Sequence, residues 1–179
     1  AWLQQAQRLF SPSDDTTKRY EQIFPGLRYE LASHAWLEPL PLPERQRTLP
    51  SPGTPWRIGL LGRIVSAKGL DVLEAVAELA QSQAAPIQFT LIGQTERALS
   101  RNAQHLVVQT GPYQEADLDE KLSAHVPDLL WFPAQWPETY SYTLSAALRH
   151  GLPVVCSDLG APAQRLAGRP FSLILPWNS

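Results

Sequence analysis

The chain has 179 residues, of which 44% are hydrophobic and 18% charged, and its formal charge is -2 at pH 7. This length and apolar share suffice for one main globular domain. The small net charge argues against nucleic acid as a partner, and the lone Cys156 excludes an internal disulfide and a cysteine-built metal site. No apolar run of about 18 residues predicts a membrane span. We therefore expect a soluble, cytoplasmic protein.

The first 55 residues divide into a short folded piece and a linker. Ser13-Asp14-Asp15 is typical of a helix start, and the helical composition of Thr16 to Phe24 ends at Pro25-Gly26. A short strand is predicted at Tyr29 to Ser33. Residues 1–38 are thus interpreted as the trailing βαβ piece of a preceding domain. The proline cluster from Pro39 to Pro55 is interpreted as a linker over residues 39–55.

From residue 56 to residue 179 strands and helices alternate regularly. The predicted strands are Trp56 to Leu61, Phe89 to Ile92, Leu106 to Val108, Leu129 to Phe132, Val154 to Cys156 and Phe171 to Leu175. The predicted helices are Gly69 to Gln83, Glu115 to Ala124, Tyr142 to His150 and Pro162 to Leu166. Continuous apolar runs suit strands that are buried on both faces, so we predict an α/β domain with a parallel sheet and helices on both faces. The absence of methionine and the end just after a strand favour a fragment, truncated in this domain.

Ligands of such sheets bind at the carboxyl ends of strands, which directs attention to the loops. The loop after the first strand runs from Gly62 to Gly69 and carries two cations, Arg63 and Lys68. These side chains suit phosphate oxygens, but for such a loop in isolation the more common explanation is a solvated loop with Lys68 near a helix start. The loop has neither the Gly-Lys-Ser/Thr ending of a P-loop nor the Gly-x-Gly-x-x-Gly pattern.

The next two loops each begin with a glycine. Gly93-Gln94 follows Leu91-Ile92, and Gly111-Pro112-Tyr113 follows Val107-Val108. Ordinary turn chemistry explains the glycines, and a ligand-facing backbone explains them as well. Tyr113 has the flat ring that could lie near a nucleobase.

The loop after Leu129 to Phe132 combines a carboxylate with a predicted helix start. Glu138 precedes a helix that begins around Ser141 to Thr143, where free backbone amides form an anion site. Alternatively, Glu138 is a helix-dipole partner, and Trp136, Tyr140 and Tyr142 are packing residues. Asp158, after the next strand, is interpreted as either a site residue or the cap of the helix from Pro162.

Other chemistries find little support. His34, His105, His125 and His150 are scattered and suggest no metal site. No Gly-x-Ser-x-Gly elbow is present, and Cys156 lies at an apolar strand end, where an inert thiol is expected. We therefore expect neither a metal nor another cofactor.

The segments GRIVSAKG, LIG, GPY, PETYSYTLSAALRHGLPVV and SDLGAP, in this order, resemble the donor domain of family 4 glycosyltransferases. The resemblance covers roughly residues 56–176 and is most specific in PETYSYTL with GLPVV. It implies a Rossmann-like donor domain, one half of the two-domain GT-B fold, and is similar to bacterial enzymes of surface-polysaccharide synthesis. Residues 9–34 resemble the end of the acceptor domain.

The resemblance implies a role for each matching residue. Arg63 and Lys68 would contact the donor diphosphate, and Glu138 would face the transferred sugar. The implied nucleotide-binding residues are Gly62, Gly93, Gln94, Tyr113, Tyr140, Ser141, Tyr142 and Thr143. The family's Glu-x7-Glu motif lacks its second glutamate, because Ala146 stands eight residues after Glu138.

Two hypotheses from different classes follow. In the first, the protein is a retaining, metal-independent sugar transferase that uses a nucleotide-diphosphate sugar and a glycan or lipid-linked acceptor, with possible peripheral contact to the inner membrane; this isolated piece would be inactive. In the second, suggested by Ala146, it is a catalytically silent nucleotide-sugar-binding or scaffolding module. A sugar epimerase is a weaker third alternative.

Overall fold

The structure is a computed structural model that describes residues 2–32 and 50–178. In chain order its strands are β1 (Phe10–Ser11), β2 (Glu30–Leu31), β3 (Trp56–Ile64), β4 (Ile87–Thr95), β5 (Val107–Gln109), β6 (Leu129–Phe132), β7 (Val154–Ser157) and β8 (Ser172–Leu175). Its α-helices are α1 (Asp14–Ile23), α2 (Leu70–Ser82), α3 (Leu118–His125), α4 (Tyr142–Arg149) and α5 (Gly160–Leu166). Short 3₁₀ turns occupy Trp2–Gln5, Ser66–Lys68 and Glu115–Asp117.

Six parallel strands form the main sheet, in the order β5-β4-β3-β6-β7-β8. From β3 the chain proceeds outward through β4 and β5, and from β6 it proceeds outward the other way through β7 and β8. The strand order therefore reverses between β3 and β6, as in the Rossmann fold. The carboxyl ends of these two strands flank the crevice where such sheets bind ligands.

Neighbouring residues of β3 face opposite sides of the sheet. Leu60 packs with Leu70 and Leu73 of α2 in one buried cluster. Leu61 packs with Leu144 of α4 and with residues of α3 in the other. The middle of β3, Gly59 to Leu61, is buried on both faces, and its residues there are apolar without alternation. The predicted α/β class, with helices on both faces, is confirmed.

β3 and β4 are several residues longer than predicted, whereas β7 is longer by one residue. β3 and β4 pair over nine residues, from Trp56 opposite Ile87 to Ile64 opposite Thr95, so Gly62, Arg63, Gly93 and Gln94 belong to strands rather than loops. Glycine is depleted in strands, which is why the prediction ended each strand before it. Here Gly62 and Gly93 are direct partners, and a Cβ on Gly93 would lie 1.9 Å from the Gly62 carbonyl oxygen. The two backbones approach too closely for any side chain at Gly93.

The amino-terminal piece has the predicted strand–helix–strand order. β1 and β2 pair in parallel, and α1 begins behind Ser13, whose Oγ accepts from the Thr16 amide at 3.2 Å. α1 packs against α5, where Gln164 Nε2 donates to Asp14 Oδ2 at 2.6 Å. Ser33 of the predicted second strand, and residues 39–49 of the linker, lie outside the described residues. The division into domains at residues 38 and 55 stays a prediction.

Candidate functional site

Two segments meet at the carboxyl edge of the sheet, residues 65–69 after β3 and residues 133–141 after β6. The Gln135 amide donates to the Ala67 carbonyl at 2.8 Å. Gly69, with φ +86°, lets the chains approach further, because a Cβ there would lie 2.1 Å from the Pro133 carbonyl oxygen. Only glycine satisfies both the backbone angle and this contact. The two segments that sequence analysis singled out are therefore adjacent.

Their contact brings Lys68 and Glu138 together. Lys68 Nζ lies 3.3 Å from Glu138 Oε1, with the lysine side chain 37% exposed and the glutamate side chain 13% exposed. The 3₁₀ turn that carries Lys68 is fixed from the neighbouring strand end, since Glu96 Oε1 accepts from the Ser66 amide at 2.6 Å. The sequence alone does not single out Glu96. Its role depends on a contact across 30 residues that no local pattern shows.

The backbone of Glu138 is held by the start of α5. The Ala161 amide donates to the Glu138 carbonyl at 2.8 Å. Gly160, at φ +65°, permits this contact, because a Cβ there would meet the Glu138 carbonyl oxygen at 2.5 Å. The Glu138 carboxylate is thus carried by a backbone that the start of α5 holds in place, while Trp136 in the same loop is 53% exposed.

α4 begins at Tyr142, close to Glu138. Ser141, just before it, has φ +74° and ψ +93° and makes no side-chain capping bond to a backbone amide of the helix. Its Oγ instead lies 3.3 Å from Thr143 Oγ1. The amides of a helix's first turn have no acceptor within the helix and carry its positive dipole end, so this turn is suited to an anion.

A cavity of about 360 Å³ opens beside this helix start. Its lining is Gly62, Arg63, Gly93, Gln94, Pro112, Tyr113, Glu115, Leu118, Tyr142, Thr143, Ala146 and Arg149. Seven of the eleven predicted site residues are in this set: Gly62, Arg63, Gly93, Gln94, Tyr113, Tyr142 and Thr143. The other four, Lys68, Glu138, Tyr140 and Ser141, are not lining residues. Lys68 and Glu138 form the pair described above, and Tyr140 and Ser141 lead into α4.

The cavity wall combines a flat ring with charges of both signs. Burial raises the pKa of the Tyr113 hydroxyl, and the negative charge of the nearby Glu115 carboxylate raises it further. The hydroxyl is therefore protonated at neutral pH. Arg63 is exposed at the rim. Ala146 contributes only a methyl group, which leaves this stretch of wall without a hydrogen-bonding side chain.

Tyr140 is a core residue whose ring does not reach the cavity. Its side chain is 5% exposed, and its hydroxyl accepts from Ser145 Oγ at 3.1 Å. The Arg165 guanidinium stacks on the ring, 4.3 Å from its centroid. The packing interpretation therefore applies to the Tyr140 side chain, and its backbone alone is available near the helix start.

Two further expectations concern residues beyond this cavity. Asp158 does not cap the last helix, which begins at Gly160 behind Leu159; its Oδ1 instead accepts from the Trp177 amide at 2.9 Å. Cys156 is buried as expected, and burial, followed by the Asp158 charge, raises the pKa of its thiol to about 12. A thiol with that pKa is no nucleophile at neutral pH.

A larger cavity of about 900 Å³ lies at the opposite edge of the sheet. Trp56, Leu129, Val154 and Ser172, all at the starts of strands, belong to its lining. Parallel α/β sheets bind ligands at the carboxyl ends of strands, so the smaller cavity is the candidate site despite its size.

Within residues 2–32 and 50–178, no three or more His, Cys, Asp or Glu side chains are grouped closely enough to hold a metal ion. In the same part of the chain, no helix has both the length and the apolar character needed to cross a bilayer.

The chain is a doubly wound, Rossmann-like α/β protein, with Arg63, Lys68 and the start of α4 near the point where the strand order reverses between β3 and β6, referred to below as the strand switch. The family model described as "Glycosyl transferases group 1" matches residues 55–175. The chain belongs to this glycosyltransferase family. No curated protein matches the chain.

Solved structures share the fold. TarM of S. aureus is 14% identical with a TM-score of 0.71, over 97% of this chain and 34% of that one. HepE of Anabaena, in complex with UDP, is 18% identical with a TM-score of 0.67, over 96% and 50%. WaaG, a glycosyltransferase involved in lipopolysaccharide biosynthesis, is 21% identical with a TM-score of 0.62, over 94% and 49%. The chain thus spans half or less of each of these proteins, and its fold corresponds to part of a GT-B glycosyltransferase.

Proposed function

We propose that this chain is the donor-binding part of a glycosyltransferase that transfers a sugar from a nucleotide-diphosphate sugar. The observation that carries the proposal is the joint placement of Arg63 and the first turn of α4 in one cavity at the strand switch. A guanidinium and a helix amino end are both ligands for phosphate. The family match and the UDP-bound HepE structure support the same substrate class.

In this proposal the nucleoside occupies the cavity beside Tyr113, and the diphosphate extends toward the start of α4. Lys68 then exchanges its partner, from the Glu138 carboxylate to a phosphate oxygen. The released carboxylate faces the sugar. As the sugar–phosphate bond breaks, charge grows on the leaving nucleoside diphosphate, and Arg63, Lys68 and the helix amides stabilise it. No metal or other cofactor is required, because these groups supply the positive charge.

The finer parts of the proposal rest on resemblance. Retention of anomeric configuration follows from the likeness of PETYSYTL to family 4 enzymes. A glycan or lipid-linked acceptor would bind the other domain, and the part played by WaaG in lipopolysaccharide biosynthesis supports an acceptor of this kind. We place the protein in the cytoplasm with peripheral contact to the inner membrane, and we expect the 179-residue chain alone to bind donor without transferring sugar.

A specific observation favours a second candidate function. Ala146 lines the cavity where the family's second glutamate would stand, and a methyl group cannot hydrogen-bond a ribose hydroxyl. A silent nucleotide-sugar-binding module is therefore the alternative. Sugar transfer by the complete protein decides between the two.

Calorimetric titration with UDP, GDP and ADP tests the binding proposal. At least one nucleotide should bind the wild-type chain, and Lys68→Ala should weaken that binding about 10-fold or more, the loss expected for one charge-assisted contact. Lys18→Ala, an exposed lysine of α1, is the matched control and should bind as the wild type does. Ala146→Glu should retain binding. Equal nucleotide affinities of Lys68→Ala and Lys18→Ala would show that Lys68 does not bind the donor phosphates.

A further inference from the structure

The segment that leads into α4 has a demanding backbone. Ser141 holds φ +74°, a conformation that L residues with a side chain rarely adopt, and its own side chain gives the helix no cap. Such a conformation persists only where its surroundings impose it. The question is which group imposes it.

Arg165 of α5 contacts this segment from behind. Its Nη1 donates to the Tyr140 carbonyl at 3.1 Å and to the Ser141 carbonyl at 3.0 Å. Its Nη2 donates to Ser145 Oγ at 2.8 Å, inside the first turn of α4. The same guanidinium stacks on the Tyr140 ring. One planar group therefore binds both residues before the helix and one residue within it.

These contacts have a consequence for an anion at the helix start. Two successive carbonyls are turned toward Arg165, and a carbonyl facing the cavity instead would repel phosphate oxygens. With both carbonyls bound by Arg165, the amides of the first turn of α4 are the backbone groups that an anion at the helix start would meet. Tyr140, Ser141 and Ser145 are each 9% exposed or less, so solvent offers these groups little competition.

We propose that Arg165 is a positioning residue, which fixes the turn at Tyr140 and Ser141 so that the α4 amides bind the donor diphosphate. The inference rests on the proposed function and adds a residue that touches no substrate. It also predicts a selective effect, since Arg165 supports the phosphate end of the site and not the nucleoside end, where Tyr113 lies.

The test compares the affinities of the 179-residue chain for UDP and for uridine by calorimetry. In Arg165→Gln the affinity for UDP should fall about 10-fold or more, whereas the affinity for uridine should stay within about 2-fold. Arg165→Lys keeps the charge but cannot bridge three acceptors, so its ratio of UDP to uridine affinity should lie between those of the wild type and Arg165→Gln.

Arg97→Gln is the matched control for loss of stability. Arg97 also makes several side-chain bonds, to Glu74 and Asp71, but on the α2 side of the sheet. This variant should melt at a lower temperature and retain the wild-type affinity ratio. If Arg165→Gln does not fold, Arg165→Lys carries the test.

If folded Arg165→Gln has the same ratio of UDP to uridine affinity as the wild type, the inference is overturned and the proposed function stands. If only Arg165→Lys folds, the same result in that variant has the same meaning. Failure of the wild-type chain to bind any of the nucleotides would overturn the proposed function, and this inference with it.

Discussion

Gly69 joins the two loops of the site, and the cost of replacing it follows from the structure. Gly69→Ala places a Cβ at φ +86° and 2.1 Å from the Pro133 carbonyl oxygen, so the chain must shift. Gly53 provides a matched control, also at φ +86°, with no atom within 4 Å of its Cβ. The backbone strain, roughly 1–2 kcal/mol, is common to both alanine variants and cancels in their difference. The steric contact remains and adds about 1–3 kcal/mol at Gly69.

The assay is thermal and urea unfolding of both variants, followed by circular dichroism. For a chain of this size 1 kcal/mol corresponds to about 2–4 °C, so Gly69→Ala should melt roughly 2–12 °C below Gly53→Ala. It should also weaken UDP binding, because a shift of Pro133 moves the loop that leads into the first turn of α4. Equal stability of the two variants, within about 0.5 kcal/mol, would refute the close approach of the loops.

Three further predictions concern a buried carboxylate, the buried thiol and the cavity wall. Glu74→Gln should lower stability at pH 7 by about 1–3 kcal/mol, because Arg97 and next the Ser100 amide hydrogen-bond the carboxylate and lower its pKa. A carboxylate whose pKa is lowered on folding stabilises the folded state fully at pH values above its unfolded pKa of about 4.3. The stability difference between wild type and Glu74→Gln should therefore shrink as the pH falls below about 4.3, and an unchanged difference at pH 3 would contradict this reasoning. Cys156 should resist iodoacetamide at pH 8 in the native state and react in urea, because about one thiol in 10⁴ is ionised at a pKa near 12; rapid native modification would show an exposed thiol. Gly62→Ala should weaken UDP binding, since its Cβ would enter the cavity 3.3 Å from Thr143 Cγ2 at φ +93°, and unaltered affinity would place the ligand elsewhere.

The order of elements could be predicted because the central strands are buried on both faces and therefore stand out as short apolar runs in the sequence. β6 was predicted to the residue, and α4 to within one residue, since its apolar spacing and Tyr142 mark the start. β3 and β4 were cut short because Gly62 and Gly93 have low strand propensity, whereas their mutual pairing is a tertiary effect.

The sequence indicates candidate site residues only in segments that follow a strand in the chain. Arg63 lies near the end of β3, and Glu138 and Thr143 lie in the segment after β6. Arg165 was missed because its partners Tyr140 and Ser141 lie 25 and 24 residues earlier, and no spacing rule links an α5 arginine to those carbonyls. Glu96 was passed over for the same reason. Aspartate is a common helix-capping residue, but the Asp158 carboxylate accepts a hydrogen bond from the Trp177 amide instead.

A crystal structure of this chain soaked with UDP most directly tests whether the cavity between the ends of β3 and β4 and the start of α4 binds the donor. In that structure a uridine should lie in the cavity beside Tyr113, with phosphate oxygens within hydrogen-bonding distance of the Thr143 amide and of Lys68 Nζ. A nucleotide in the larger cavity near Trp56 and Ser172, or one that leaves Lys68 paired with Glu138, would contradict it.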